Sequence, residues 1–421
     1  MAGETKKANE KKMSARKRRK LVKRYRLKDT GMGPVDFWLL VFVLILTVFG
    51  IVMVFSASYY SAINASGNPY SYLLKQLFFA FTGGILMFIF ALIDYHKYDG
   101  LAKWMMLLGI LLLLVVLTPA GTEIQGAKRW IDIGFTTIMP GEFVKICVIV
   151  FVAWWLGQSA DRVNSLTQGI IPMLLLAGIC GGLIMLQPNM STAITVVGII
   201  FMMMFAAGLK KRYVVGLIAL SIAAAVPLVF SSAYRMERLM SFTDPFAQQD
   251  TNGYQVVQSL YALGSGGMFG NGLGNSVEKS LYLPEPQNDF ILAVIGEELG
   301  YLGIIILMLV YIALIWRGIK IAMDAPDRFG MLIAAGITMM IGIQVVMNIA
   351  VVTSSMPPTG VTLPFVSYGG NALWLFMGSA GILLNVSRHN AAGSGASAAA
   401  PRGRQAEVST KAGRERPREV L

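Results

Sequence analysis

The chain has 421 residues, 55% of them hydrophobic and 14% charged, with a mean hydropathy of +0.61 and a formal net charge of +13. A water-soluble domain of this length cannot bury so much apolar surface, so the composition excludes a soluble enzyme and indicates a multispanning membrane protein. Cys147 and Cys180 lie inside apolar runs without metal-ligand spacing, so they read as packing residues and indicate neither a disulfide framework nor a zinc site.

Residues 1–36 are a densely basic arm containing KKANEKKMSARKRRKLVKRYRLK. Such a block beside a first span fixes orientation and meets anionic lipid rather than nucleic acid, and it is too long, before too long an apolar run, for a cleavable leader. Ten apolar runs follow, at roughly 37–57, 72–93, 101–119, 141–157, 170–186, 191–208, 214–231, 290–316, 331–355 and 371–387. Because a spanning segment needs about 20 residues and must satisfy its own backbone, the expected fold is all-α and polytopic, with about ten helices. The fourth run is short and opens with Glu142 and Lys145, so a tilted or partly re-entrant helix is expected there. Lys97, Lys103, Arg162, Lys210 to Arg212, Arg317, Lys320, Arg328 and Arg388 fall in alternate loops on the side of the arm, placing both termini in the cytoplasm. From 389 to 421 the composition turns to Ala, Gly, Ser and mixed charge, which predicts a disordered tail. Met-rich stretches read as helix packing, and His96 and His389 at cytoplasmic ends receive little functional weight.

With no separate soluble domain, chemistry must come from the outer loops and span ends. Segment 120–142 offers Lys128, Arg129, Trp130, Asp132 and Glu142; segment 232–289 is the longest connection; segment 356–370 is rich in Pro and Gly. A structureless loop as long as the second is unusual unless functional. Lys128 and Arg129, with Lys145 slightly deeper, make a cationic group suited to the anionic headgroup of a phosphate or diphosphate lipid. Ion pairs from Arg129 to Asp132, and from Lys145 to Glu142 one helical turn away, are the equally weighted structural alternative. The string GSGGMFGNGLGNS at 264–276 lacks the lysine of a phosphate loop and reads as tightly bending backbone. Asp289 closes the polar stretch LYLPEPQNDF directly before an apolar run, and a carboxylate at that boundary is costly without a role. Gly296, Gly300 and Gly303 fall near the helical face that carries Asp289, allowing a close neighbour. Glu297 and Glu298 lie inside the run and are expected to face a cavity or a partner, while Gln344 and Asn348 share a face suited to interhelical hydrogen bonds.

Five strings in order, GAKRWI at 126–131, LQPNMSTA at 186–193, GYQVVQSLYALGSGGMFGNGLGNS, LPEPQNDFILAVIGEELG and GVTLPFVSYGG, resemble the SEDS family of FtsW, RodA and SpoVE over residues 35–388. Asn275, Ser276 and Lys279 look more like the FtsW and SpoVE branch. Where the family often reads Gln-Pro-Ser-Glu this chain has Met139, Pro140, Gly141 and Glu142, and Asn189 replaces the acid of its QPDLGT, while Glu142 and Lys145 are retained. The resemblance implies a plasma-membrane peptidoglycan glycosyltransferase that polymerises lipid II on the outer face, for division or a related septal process, beside a class B penicillin-binding transpeptidase and other division proteins. It implies Asp289 as the essential acid, a general base on the acceptor 4-hydroxyl. Lys128, Arg129 and Lys145 are the candidates for the departing diphosphate, with Glu142, Glu285, Glu297 and Ser367 in support. No resident metal site is expected; a divalent cation, Mg2+ or Mn2+, suits diphosphate chemistry, but no carboxylate cluster demands one. The rival readings are a lipid II flippase and a non-catalytic division scaffold.

Overall fold

Helices occupy every one of the ten apolar runs in the computed structural model, which describes residues 33–398 apart from 125, 135, 231–232, 249–252 and 281. They are α1 (Phe37–Ser66), α2 (Ser71–Leu92), α3 (His96–Leu117), α4 (Pro140–Gly157), α5 (Ile171–Leu186), α6 (Met190–Ala206), α7 (Lys211–Phe230), α10 (Ile291–Met323), α11 (Arg328–Val352) and α12 (Gly370–Ala398). Among the described residues seven helices are long and apolar enough to cross a bilayer, and the 17-residue α6 is a shorter apolar helix. Residues Val35–Ser387 form one compact unit and the chain ends a second; the basic arm, and the tail beyond Ala398, lie outside the described residues. Residues 389–398, expected to be disordered, continue α12, in keeping with the four alanines there.

Burial separates the centre of the bundle from its lipid-facing shell. The apolar window of α11 is 67% buried and that of α4 61%, against 17% for α2. At Gly336 of α11 a Cβ would stand 2.8 Å from both Ile149 of α4 and Met203 of α6, so the missing side chain lets three helices meet. The fourth run, expected to be tilted or partly re-entrant, is one 18-residue helix with proline in its first turn, where the lost amide has no helical partner to forfeit. Cys147 and Cys180 are free and buried.

The connections read as outer loops are folded. Segment 120–142 contains an antiparallel sheet of β1 (Gly121–Ile124), β2 (Ala127–Asp132) and β3 (Thr137–Ile138) in the order β1-β2-β3. Segment 232–289, read as one long connection, carries α8 (Ala233–Thr243) and α9 (Tyr254–Ser265).

α10 is interrupted. Gly300 adopts φ +68° and ψ −172°, so a short helix of residues 291–299 precedes the longer segment. The glycine string fills the break. Asn271 and Gly272 donate their amides to the carbonyls of Glu297 (2.9 Å) and Glu298 (3.0 Å), while Tyr301 and Leu302 donate to Gly267 (2.9 Å) and Met268 (3.1 Å). Four backbone groups at the break are thus satisfied by protein, as non-helical chain at membrane depth requires. Gly267, Gly270, Gly272 and Gly274 all have positive φ, as the tight bending of this string requires. The shared helical face expected of Gly296, Gly300 and Gly303 is therefore not formed. Gly296 does receive a close neighbour, Leu263 of α9, whose Cδ2 would lie 2.7 Å from an added Cβ. A Cβ at Gly300 would meet the Gly270 amide nitrogen at 2.3 Å. Gly300→Ala is accordingly expected to lower thermal stability in detergent, with at least ~1–3 kcal/mol from backbone strain alone; an unchanged melting temperature would contradict this packing.

Candidate active site

Asp289 sits two positions before the first residue of the short helix 291–299, half-buried in the wall of a cavity of about 510 Å³. Several parts of the chain build that wall. β2 brings Arg129 and Trp130, the α5–α6 turn and the start of α6 bring Pro188, Asn189 and Ser191, α8 brings Arg238, α9 brings Gln255, and the segment Pro358–Gly360 closes the side next to the acid. Glu285 and Asn288 complete the rim.

Hydrogen bonds fix these pieces to one another. Asn348 of α11 donates its Nδ2 to the carbonyls of Asp289 (2.9 Å) and Val361 (2.7 Å), holding the loop of the acid against the segment after α11. Asn348 was expected to join helices; it joins loops. Arg238 donates to the Pro358 carbonyl at 2.5 Å, and Ser191 Oγ to that of Gly360 at 2.9 Å, so both ends of the 358–360 strip are pinned. A Cβ at Gly360 would lie 2.9 Å from Asp289 Oδ2, which makes glycine the residue that lets the carboxylate lie along this backbone. Asn189, where the family commonly has an acid, caps α6 by accepting the Thr192 amide at 3.2 Å. A neutral amide oxygen serves that cap.

The electrostatics suit a base. Burial, and next the charge of Glu285, raise the Asp289 pKa to about 6, against the opposing pull of Arg238 and Arg129. The carboxylate is therefore ionised at neutral pH yet basic enough to accept a proton. Glu285 is held by Gln287 Nε2 (3.0 Å) and Asn288 Nδ2 (2.8 Å), in a left-handed backbone conformation with φ +49° that is rare outside glycine.

The sequence-derived residues divide. Asp289, Arg129 and Glu285 line the cavity together. Lys128 does not: its Cε would meet a Cβ at Gly121 at 2.9 Å, whereas Arg129, left without a β1 partner where the register shifts between Thr122 and Glu123, lines the cavity. Lys145 is 1% exposed and paired with Glu142 at 2.6 Å within α4, the ion pair that was the alternative reading of both residues. Ser367 is buried outside the cavity and accepts the Leu363 amide at 2.8 Å, closing a turn. Glu297 is likewise outside, accepting the amide of Val277 at 2.7 Å. Arg129 donates to the carbonyls of Gln187 (3.2 Å) and Pro188, which orients its guanidinium along the wall. Arg238 was missed in the sequence; a basic residue in a loop read as extracytoplasmic is the signal that points to it.

Comparison with known proteins follows the same outline. A family profile described as "Cell cycle protein", FtsW/RodA/SpoVE, matches residues 37–392. Stage V sporulation protein E of Bacillus subtilis is 41% identical over 356 residues, covering 84% of this chain and 97% of that protein. The probable peptidoglycan glycosyltransferase FtsW of Trichlorobacter lovleyi is 40% identical over 361 residues, covering 86% and 95%. Among solved structures, a chain of a peptidoglycan synthase complex that coordinates polymerization and crosslinking superposes with a TM-score of 0.70 at 27% identity, covering 85% of this chain and 98% of that one. The rod shape determining protein RodA of Thermus thermophilus gives 0.62 at 28% identity, covering 84% and 97%.

Proposed function

The chain belongs to the FtsW, RodA and SpoVE family of cell cycle proteins, and from that premise we propose that the Asp289 cavity is where a lipid-linked disaccharide, lipid II, is joined into glycan. The protein is a multi-pass membrane protein and a peptidoglycan glycosyltransferase, as its FtsW relatives are named. The observation that carries the assignment of the site is a single half-buried carboxylate with a pKa near 6 facing two arginines.

In this reading Asp289 removes the proton of the acceptor sugar's 4-hydroxyl as that oxygen attacks the donor's anomeric carbon. The bond from that carbon to the diphosphate breaks, and its electron pair leaves with the prenyl diphosphate. Inversion at an α-linked donor gives a β-1,4 bond, and the proton rests on Asp289 until solvent takes it. Arg129 and Arg238 meet the charge that develops on the leaving group from positions already fixed by backbone carbonyls, so no reorganisation is required as the bond breaks. Glu285, which lines the cavity, would be the residue to hold a divalent cation, and such an ion would supply positive charge against the leaving group when bound.

The cavity opens among the loops assigned to the outer face, which supports an extracytoplasmic site. A class B transpeptidase is the partner this reading expects, supported by the likeness to a synthase complex that joins polymerization to crosslinking. A flippase needs a polar path through the bundle, but the intramembrane acids Glu297 and Glu298 are engaged by Ser276, Val277, Lys279 and Ser56. That engagement favours transfer over translocation. Purified protein, with its transpeptidase in detergent, is expected to convert lipid II to glycan polymer; translocation in vesicles without polymer would overturn the assignment.

A further inference from the structure

The short helix 291–299 has Asp289 just before its first turn and two adjacent acids, Glu297 and Glu298, in its last. Acids at a helix C-terminus oppose the helix dipole, and both are almost fully buried, at 1% and 0% exposure. What offsets them is the loop that follows the glycine string. Glu297 accepts from Ser276 Oγ (2.5 Å) and from the amides of Val277 (2.7 Å) and Glu278 (3.4 Å). Glu298 accepts from Lys279 Nζ (2.6 Å) and from Ser56 Oγ of α1 (2.6 Å), and Lys279 also reaches Ser56 Oγ at 3.0 Å. With the backbone bonds from Asn271 and Gly272, the C-terminal end of this helix is clamped through both acids and both of their carbonyls. Lys279 is itself 2% exposed, so a charged pair has been taken fully out of water, an arrangement that rarely repays its cost in stability and is better suited to fixing one conformation.

We infer that Lys279 and Glu298, with Ser56 between them, are positioning residues for Asp289, setting the placement of the short helix and so the distance of the carboxylate from Arg129, Arg238 and Glu285. The inference rests on Asp289 being the base. Neither Lys279 nor Glu298 lines the cavity, so neither touches substrate.

The test separates placement from mere stability. Lys279→Met alone strands a buried carboxylate and is expected to lower both melting temperature and rate. The double variant Lys279→Met with Glu298→Gln removes both charges at similar volume and is expected to recover the melting temperature to within a few degrees. Its kcat for lipid II should remain at least tenfold down with KM within about twofold, and the acid limb of its kcat profile should move from the wild-type position, because the surroundings that raise the Asp289 pKa have shifted. Ser56→Ala, which deletes one hydroxyl and carries little risk to folding, should show the same change of profile with about a threefold loss of kcat. Wild-type kcat and acid limb in the double variant and in Ser56→Ala would overturn the inference. Asp289→Asn is assayed in parallel: an inactive Asp289→Asn beside wild-type clamp variants sinks only the clamp, whereas an active Asp289→Asn sinks the base assignment and the clamp with it.

Discussion

Asp289→Asn is expected to reduce glycan synthesis from lipid II by at least ~10²-fold, the lower bound for removing a positioned general base, while membrane insertion and melting temperature hold. The substitution keeps size and shape, and the hydrogen bond that anchors residue 289, from Asn348 Nδ2, goes to its backbone carbonyl, which the variant retains. Fold stability should not fall. A carboxyl whose pKa is raised on folding lends stability in its protonated form and loses that contribution as pH rises through about 6, so at neutral pH the ionised side chain is a cost that the amide removes. Polymerisation assayed on purified lipid II, beside a thermal unfolding curve, separates the two effects. Full activity in a well-folded Asn variant would remove the base from the mechanism.

The second large effect concerns the leaving group. Arg238→Gln and Arg129→Gln are each expected to lower kcat/KM for the diphosphate lipid by about 10- to 100-fold, and the pair by more than 10², the scale for removing preorganised charge stabilisation from a site shielded from water. Glutamine still donates to a carbonyl, so the Pro358 strip and the α5–α6 turn keep a partner and the loss reports charge rather than collapse. Lysine at 238 should retain part of the rate, since it keeps the charge and loses the fork. Lys128→Gln, beside Gly121 and outside the cavity, should leave kcat/KM within about threefold. Equal losses at 128 and 129 would mean that the register shift at Arg129 does not set which cation serves the site.

The helices were legible because each apolar run is long and the bilayer asks for little else. Less legible was everything that depends on pairing across distance. β1 to β3 are two to six residues long and exist by pairing with one another, so Lys128 and Arg129 read as one cationic group when the strand sends them apart. The run GEELGYLG reads as unbroken helix, because the positive φ of Gly300 is imposed by a loop some thirty residues earlier that supplies the missing hydrogen bonds. Asp289 stood out from its place at the edge of an apolar run, whereas Arg238 is one charge in a long segment whose helical structure the sequence did not reveal. Lys145 and Glu142, three apart on one helix, were open to two readings by spacing, and burial decided for the ion pair. Glu297 and Glu298 were expected to face a cavity or a partner, and the partner is the chain's own loop.

The most direct test of Asp289 as the base is the pH dependence of kcat for lipid II polymerisation, measured from pH 5 to 8 in the wild type and in Asp289→Asn. The carboxylate form is the active one, so wild-type kcat should plateau above about pH 7 and fall toward tenfold per unit below about 6, while the residual rate of the Asn variant should lack that limb. A wild-type rate flat across this range, or the same acid limb persisting in the Asn variant, would contradict the account.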